Sequence, residues 1–144
     1  MKKRLPGHIA AILAGTLLLS GCGGTTGLAA LDRPATAEDT LPGHVTIPPD
    51  VEPESVRLLV EDGRFQYYGS HDADRRLGCF LIVATDKAED QVTSCVEMKA
   101  QPFNVAVAAP VAGISASFVA DGFNTAQLES EGWTKIHDNV LVRR

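Results

Sequence analysis

Residues 77–84, Leu-Gly-Cys-Phe-Leu-Ile-Val-Ala, form an almost unbroken apolar run between two polar stretches. A run of this length predicts a central β-strand that is buried on both faces. The next stretch, residues 92–98 (Val-Thr-Ser-Cys-Val-Glu-Met), alternates apolar and polar side chains, which predicts a half-buried strand. Because only the polar turn 86–90 separates the two stretches, we expect them to pair as neighbouring antiparallel strands.

The sequence before this pair predicts a β-hairpin. Two stretches, 56–61 and 64–69, have strand-like alternation, and Asp62-Gly63 lies between them. Asp-Gly favours a two-residue type I′ turn, in which both central residues have positive φ. In the second strand Tyr68 lies on the face opposite Phe65 and Tyr67. We therefore expect Tyr68 to be exposed, beside the charged loop that follows.

The sequence after the pair predicts further strands and one short helix. Alternation over 103–109 and over 114–118 indicates two strands around a turn at 110–113, and residues 140–142 form a closing strand. The helix spans about 125–131, where Asn124 or Thr125 can cap its start and Gly132 can end it. Trp133 and Ile136 are expected to pack after it. The predicted fold is a small, mainly β domain over 56–144, an antiparallel meander of six to seven strands with that helix.

The N-terminus has the three parts of an export signal. Lys2, Lys3 and Arg4 precede an apolar stretch at 9–19, which is shorter than the roughly 20 residues that a membrane-spanning helix needs. Leu19-Ser20-Gly21-Cys22 follows and resembles the lipobox of bacterial lipoproteins at every position. The resemblance implies that residues 1–21 are removed and that Cys22 carries the lipid. A secretory signal with a chance cysteine, or an uncleaved anchor, is the alternative.

Residues 22–55 are rich in Gly and Pro and show no apolar period, so we expect a flexible tether. His44 within it is expected to be solvated. Loss of Lys2, Lys3 and Arg4 with the signal takes the formal charge of the chain from −5 to −8. Nucleic acid is an improbable partner for such an acidic chain, since phosphate binding needs clustered Lys and Arg. The membrane, reached through the lipid, is the expected partner.

With Cys22 acylated, Cys79 and Cys95 remain as a pair in an exported protein. An oxidising compartment favours a disulfide between them. Two free thiols, or a metal or redox pair, are the alternatives, although the chain has no C-x-x-C spacing. A disulfide here would close a loop of about 16 residues and stabilise the fold by about 3 kcal/mol.

No motif in the sequence carries a recognisable chemistry, so we expect no metal and no cofactor. Two acidic loops, 71–74 and 86–90, have too few ligands at regular spacing for zinc or calcium. Ser70-His71-Asp72 contains the residue types of a catalytic triad, but adjacency in sequence does not make one. His137-Asp138 lacks a partner nucleophile. A binding surface around Tyr68, His71 and Asp72 remains as the candidate site.

The predicted domain also resembles, diffusely, small exported proteins of high-GC Gram-positive bacteria. The shared features are a cysteine on each of two successive strands, an Asp-Gly turn, a Gly-Trp pair and a closing Asn-Val-Leu-Val strand: Cys79, Cys95, Asp121-Gly122, Gly132-Trp133 and 139–142. This resemblance supports the fold and the disulfide and implies no activity.

Three functions compete at this point. The favoured one is a non-enzymatic binding or sensing module, held by lipid on the extracytoplasmic face of the cell membrane, with an unidentified protein or small-molecule ligand. A small envelope hydrolase or metal-dependent enzyme using His71, Asp72 or His137 is the second. A structural or phage-exclusion surface protein is the third.

Overall fold

The computed structural model describes residues 27–87, 89–98, 104–109 and 113–144, the stretch 104–109 by its backbone alone. The signal, Cys22, Phe103 and most of the turn at 110–113 lie outside the described residues. Within them the chain forms two four-stranded antiparallel sheets and two short helices. The predicted mainly β, antiparallel fold is confirmed.

The first sheet is a meander of four strands in sequence order. Its strands are β1 (Arg57–Asp62), β2 (Phe65–His71), β3 (Leu77–Ala84) and β4 (Gln91–Glu97). Every residue of β3 after Leu77 is buried, as its apolar run predicts. Cys79 lies directly opposite Cys95 on β4, and the two form a disulfide.

The predicted hairpin is present, with its turn one residue further along. Asp62 pairs with Phe65, so the two turn residues are Gly63 and Arg64 rather than Asp62 and Gly63. Gly63 has a φ of +63°, whereas Arg64 has negative φ. The predicted type I′ turn is therefore wrong, because only one central position has the conformation that glycine allows.

A bulge interrupts the first strand of this hairpin. The pairing of β1 with β2 shifts between Leu58 and Val60, which leaves Leu59 without an opposite residue. Leu58 packs on one face of the sheet, while Leu59 and Val60 both pack on the other. The bulge thus ends the simple alternation of 56, 58 and 60 that the sequence suggested.

The second sheet contains β5 (Asn104–Ala109), β6 (Ile114–Val119), β7 (Thr134–His137) and β8 (Val140–Arg143), in the order β5-β6-β8-β7. Helix α2 (Ala126–Ser130) lies between β6 and β7, close to its predicted position. Asn124 Oδ1 accepts a hydrogen bond from Ala126 N, and Gly132 after the helix has a φ of +89°. The predicted closing strand is β8, the second arm of a hairpin with β7.

The two sheets face each other across a shared apolar core. Phe80 of the first sheet and Phe118 of the second stack with ring centroids 5.0 Å apart. Gly69 on β2 permits close packing there, since a Cβ at this position would meet Leu31 Cδ2 at 3.0 Å. The core also takes in Leu31 of helix α1 (Ala29–Asp32) and Leu28 just before it.

The N-terminal segment 28–56 is part of the folded domain. Leu28, Leu31 and Val51 are 1–3% exposed. The segment covers the outer face of the first sheet, where Val51 and Val56 pack on Tyr68, Cys79, Leu81 and Val83, with partly buried Leu41, Val45 and Ile47 beside them. The predicted flexible tether over 22–55 therefore needs correction from residue 28 onward. Its apolar residues lack a period because the segment crosses the sheet without adding a strand to it.

Candidate functional site

The binding surface predicted around Tyr68 is not a surface. Tyr68 is fully buried beneath the N-terminal segment, and its hydroxyl donates to Gln66 Oε1 at 3.1 Å. Burial raises the pKa of Tyr68 to about 12. The prediction that Tyr68 is exposed is wrong. The residues that cover its side chain belong to a segment that the sequence predicts to be a tether.

Asp72 supports the local backbone. Its Oδ1 accepts hydrogen bonds from Arg76 N at 2.7 Å and Leu77 N at 2.8 Å, which closes the turn between β2 and β3. Desolvation opposes ionisation of Asp72, but these hydrogen bonds outweigh it and lower the pKa of the carboxyl. Its carboxylate therefore holds the turn in place.

The predicted catalytic residue types do not converge. Ser70 Oγ is fully buried and has no partner within the described residues, and His71 Nδ1 donates to the main-chain oxygen of Asp72 rather than to its carboxylate. His137 lies on β7 of the second sheet, where Asn139 N donates to its Nδ1 and burial lowers its pKa. In the described ranges no three His, Cys, Asp or Glu side chains come together as a metal site would require.

A groove lies where the N-terminal segment meets the ends of β1 and β2. It has a volume of about 360 Å³ and is lined by α1 with the residues after it, the 3-10 turn Pro53–Ser55 and the loop after β2. The side chains that matter for its chemistry are Asp32, Arg33, Glu52, Glu54, Arg57, His71 and Arg75. We call it the arm groove.

Arg57 forms the buried floor of the arm groove. It is 8% exposed, and its Nε donates to Arg33 O at 3.0 Å while its Nη1 donates to Glu54 O and Val56 O, each at 2.8 Å. No carboxylate pairs with Arg57 in the described part of the chain. Its Nη2 has no acceptor there and is not fully enclosed, and Arg57 belongs to the lining of the groove.

His71 contributes the second polar atom of the floor. The residue is 7% exposed, and its Nδ1 lies 2.8 Å from Asp72 O. Because a carbonyl oxygen only accepts, Nδ1 donates in this contact. Nε2 has no partner within the described residues and is not fully enclosed. Arg57 and His71 thus each bring a side-chain nitrogen without a partner in the described residues to the lining of the same groove.

The other arginines that line the groove form ion pairs. Arg33 contacts Asp39 through two hydrogen bonds of 2.6 and 2.7 Å, and Arg75 lies 3.5 Å from Asp32. Glu52 and Glu54 have no ion-pair partner among the described residues. The rim is therefore mixed in charge, whereas the floor has the uncompensated cation Arg57.

Sequence reasoning missed Arg57 altogether. Its partners are main-chain oxygens, which leave no trace in the pattern of side chains. The only signal was a charged residue at the start of an apolar strand, which is common at strand ends. His71 was grouped with Tyr68 and Asp72 in the sequence analysis; the structure places it in the lining of the arm groove, whereas Tyr68 is buried elsewhere.

Two other surface depressions lack the buried, unpaired charge that marks the arm groove. One of about 510 Å³ is lined by Glu38, Leu58, Glu61 and Gln66, and one of about 250 Å³ by Asp72, Arg76, Leu77 and Glu97. Neither contains a buried charged side chain that lacks a charged partner. The arm groove is the best candidate site.

No helix among the described residues is long and apolar enough to cross a membrane. Comparison with protein-family models, with curated proteins and with solved structures finds no match to this chain.

Proposed function

We propose that this chain is a lipoprotein of the extracytoplasmic face of the cell membrane, with a β-sandwich that acts as a non-enzymatic binding module. The observation that carries the proposal is the lipobox-like Leu19-Ser20-Gly21-Cys22, which ends an export-type apolar stretch and precedes a folded domain. A diacylated Cys22 would give stable attachment, where a single acyl chain is marginal.

The fold makes this attachment a close one. Leu28, the first buried residue in the described part of the chain, follows Cys22 by six positions. An extended chain spans at most about 3.6 Å per residue, so the domain would begin within roughly 20 Å of the lipidated residue. The domain would thus rest near the headgroups, instead of standing off on the long spacer that the composition of 22–55 suggests.

Binding is favoured over catalysis by the local contacts of the catalytic candidates. His71, Asp72 and His137 are each engaged by main-chain groups at separate places. The arm groove, by contrast, offers polar atoms that have no partner. A recognition role uses such atoms directly, whereas hydrolysis needs a nucleophile and a base within hydrogen-bond reach.

Fractionation and mass spectrometry test the anchor. The full chain is expressed in a bacterium that processes lipoproteins, and we expect it in the membrane fraction with a lipidated N-terminal Cys22. Cys22→Ser should move it to the soluble fraction or leave it unprocessed. Ser20→Ala, which keeps a small residue in the box, is the matched control and should behave as wild type. An unmodified Cys22 in the wild-type chain would refute the proposal.

A further inference from the structure

The arm groove is lined by an arginine that is buried without a charged partner in the described residues. Arg57 is 8% exposed, and its guanidinium donates to main-chain oxygens alone. Arginine stays charged in proteins, so burial cannot be relieved by loss of the proton. A buried charge is costly unless a counter-charge or several hydrogen bonds compensate it.

One nitrogen of this cation has no partner in the described residues, and Arg57 lines the groove. Nε and Nη1 are used to hold Arg33 and the 53–56 turn region, while Nη2 is left for a further acceptor. His71 Nε2 lies along the same lining. An oxyanion is the acceptor that a guanidinium binds best, with shorter and stronger hydrogen bonds than a neutral group would form.

The rim sets the charge of the ligand. Glu52 and Glu54 line the groove without ion-pair partners in the described part, and Asp32 adds a third carboxylate beside Arg75. These carboxylates repel a dianion more strongly than a monoanion, which favours a group with a single negative charge. A ligand with a cation next to its oxyanion would also satisfy the rim.

We propose that the arm groove binds a monoanionic oxyanion, a carboxylate or a phosphodiester, through Arg57 Nη2, with His71 in the same lining as a reporter of occupancy. The inference deepens the binding part of the proposed function and does not depend on lipidation of Cys22. Arg57 has two roles in this scheme, since the same guanidinium joins the N-terminal segment to β1 and contacts the ligand.

The test is an NMR titration of the full chain in detergent with two probes, N-acetylglycine as the carboxylate and dimethyl phosphate as the phosphodiester. We expect saturable shifts of the Arg57 side-chain and His71 ring signals at ligand concentrations on the order of millimolar. Saturation with one probe alone identifies which of the two sources the groove selects. Absence of saturation with both probes would overturn the proposal, even if fractionation supports the anchor.

Variants separate binding from folding. Arg57→Gln should weaken binding about tenfold or more, because a charge-assisted hydrogen bond is lost. Arg57→Lys keeps the charge but loses the planar set of N–H donors, so it should bind more weakly than the wild type and more tightly than Arg57→Gln. It also provides the comparison with the wild type if Arg57→Gln fails to fold. Arg64→Gln, which removes the same charge from the β1–β2 turn, is the matched control and should bind as wild type. Equal binding by wild type and a folded Arg57→Gln, or stronger binding of sulfate than of either probe, would overturn the proposal.

Discussion

The two outer faces of the sandwich are covered by different kinds of segment. The outer face of the first sheet lies under residues 41–56, which precede all of its strands. The outer face of the second sheet lies under α2 and Trp133, which connect two strands of that same sheet. The first cover is long and extended, and the second is short and local.

The two covers are also held by different forces. Asp39 fixes the first one: its carboxylate accepts hydrogen bonds from Arg33, Thr36 N and Leu58 N, all between 2.6 and 2.7 Å. The second cover depends on apolar contacts of Trp133 with Val119 and Leu141. Arg143 adds a cation–π contact 4.9 Å from the Trp133 ring centroid. An extended segment without ladder hydrogen bonds needs specific polar contacts, whereas a local helix needs only a place to pack.

The largest expected effect concerns the disulfide beneath the first cover. Replacing Cys79 and Cys95 together by Ala should lower the free energy of unfolding by about 3 kcal/mol, because the unfolded chain loses its loop constraint. The two residues are 16 apart in sequence. Urea unfolding followed by Trp133 fluorescence measures the loss. Reductant should destabilise the wild type to the same degree and leave the double variant unchanged; equal effects on both proteins would contradict the prediction.

The next largest effect concerns the hydrogen bonds of Asp39 that hold the first cover. Asp39→Ala should lower the free energy of unfolding by about 2 kcal/mol, because Arg33 and two backbone N–H groups lose the carboxylate that accepts their hydrogen bonds. Hydrogen exchange should accelerate over 41–56 and stay unchanged over 126–133. Asp74→Ala, which removes an exposed carboxylate whose one ion pair within the described ranges is with Arg76, is the control and should change stability by less than about 0.5 kcal/mol. Uniform acceleration across both covers would show that they are not held separately.

Acid should loosen the first cover before the second. The hydrogen bonds from Arg33 hold the pKa of Asp39 well below its usual range, against the opposing effect of burial. A carboxyl whose folded-state pKa is depressed stabilises the fold above its unfolded pKa of about 3.9, and this stabilisation is lost as pH falls toward the folded-state value.

Unfolding measured from pH 6 downward checks this. The wild type should lose stability more steeply below about pH 4 than Asp39→Asn, which cannot titrate. Asp74→Asn serves as the matched control and should follow the wild-type slope. Parallel slopes for wild type and Asp39→Asn would rule out Asp39 as the source of the acid sensitivity.

The smallest effect concerns the second cover. Leu128 is half-buried on α2. Leu128→Ala should therefore lower the free energy of unfolding by about 1 kcal/mol, which is the transfer free energy expected for its partly buried methyl groups. Hydrogen exchange should rise over 126–133 only. Gln127→Ala, on the exposed side of the same helix, should be nearly neutral. A cost for Leu128→Ala as large as that for Asp39→Ala would remove the contrast between the covers.

Periodicity predicted the parts of the fold that form hydrogen-bonded ladders. The run at 77–84 became the buried β3, the alternation at 92–98 became the half-buried β4, and the caps around 124–132 placed α2. Cys79 and Cys95 could be paired because adjacent strands across a short turn bring their Cβ atoms into range.

Periodicity could not predict the first cover or the candidate site. Leu41, Val45, Ile47 and Val51 are spaced irregularly because each fills a separate gap on the sheet. Tyr68 was misplaced for the same reason, since its cover is remote in sequence. Arg57 binds carbonyl oxygens, which every residue has, so no side-chain pattern marks its role.

The first described residues are hydrogen-bonded to a residue at the end of a strand in the second sheet. Ala29 N donates to Asp121 Oδ2 at 2.6 Å, and Asp121 N donates to Gly27 O at 3.0 Å. Asp121 follows β6, an interior strand of its sheet, and its other carboxylate oxygen accepts from Asn139 in the β7–β8 turn. A mechanical pull at Gly27 would therefore load the hydrogen bonds to Asp121 at the end of β6, and through Asn139 the β7–β8 turn, in addition to the N-terminal segment itself.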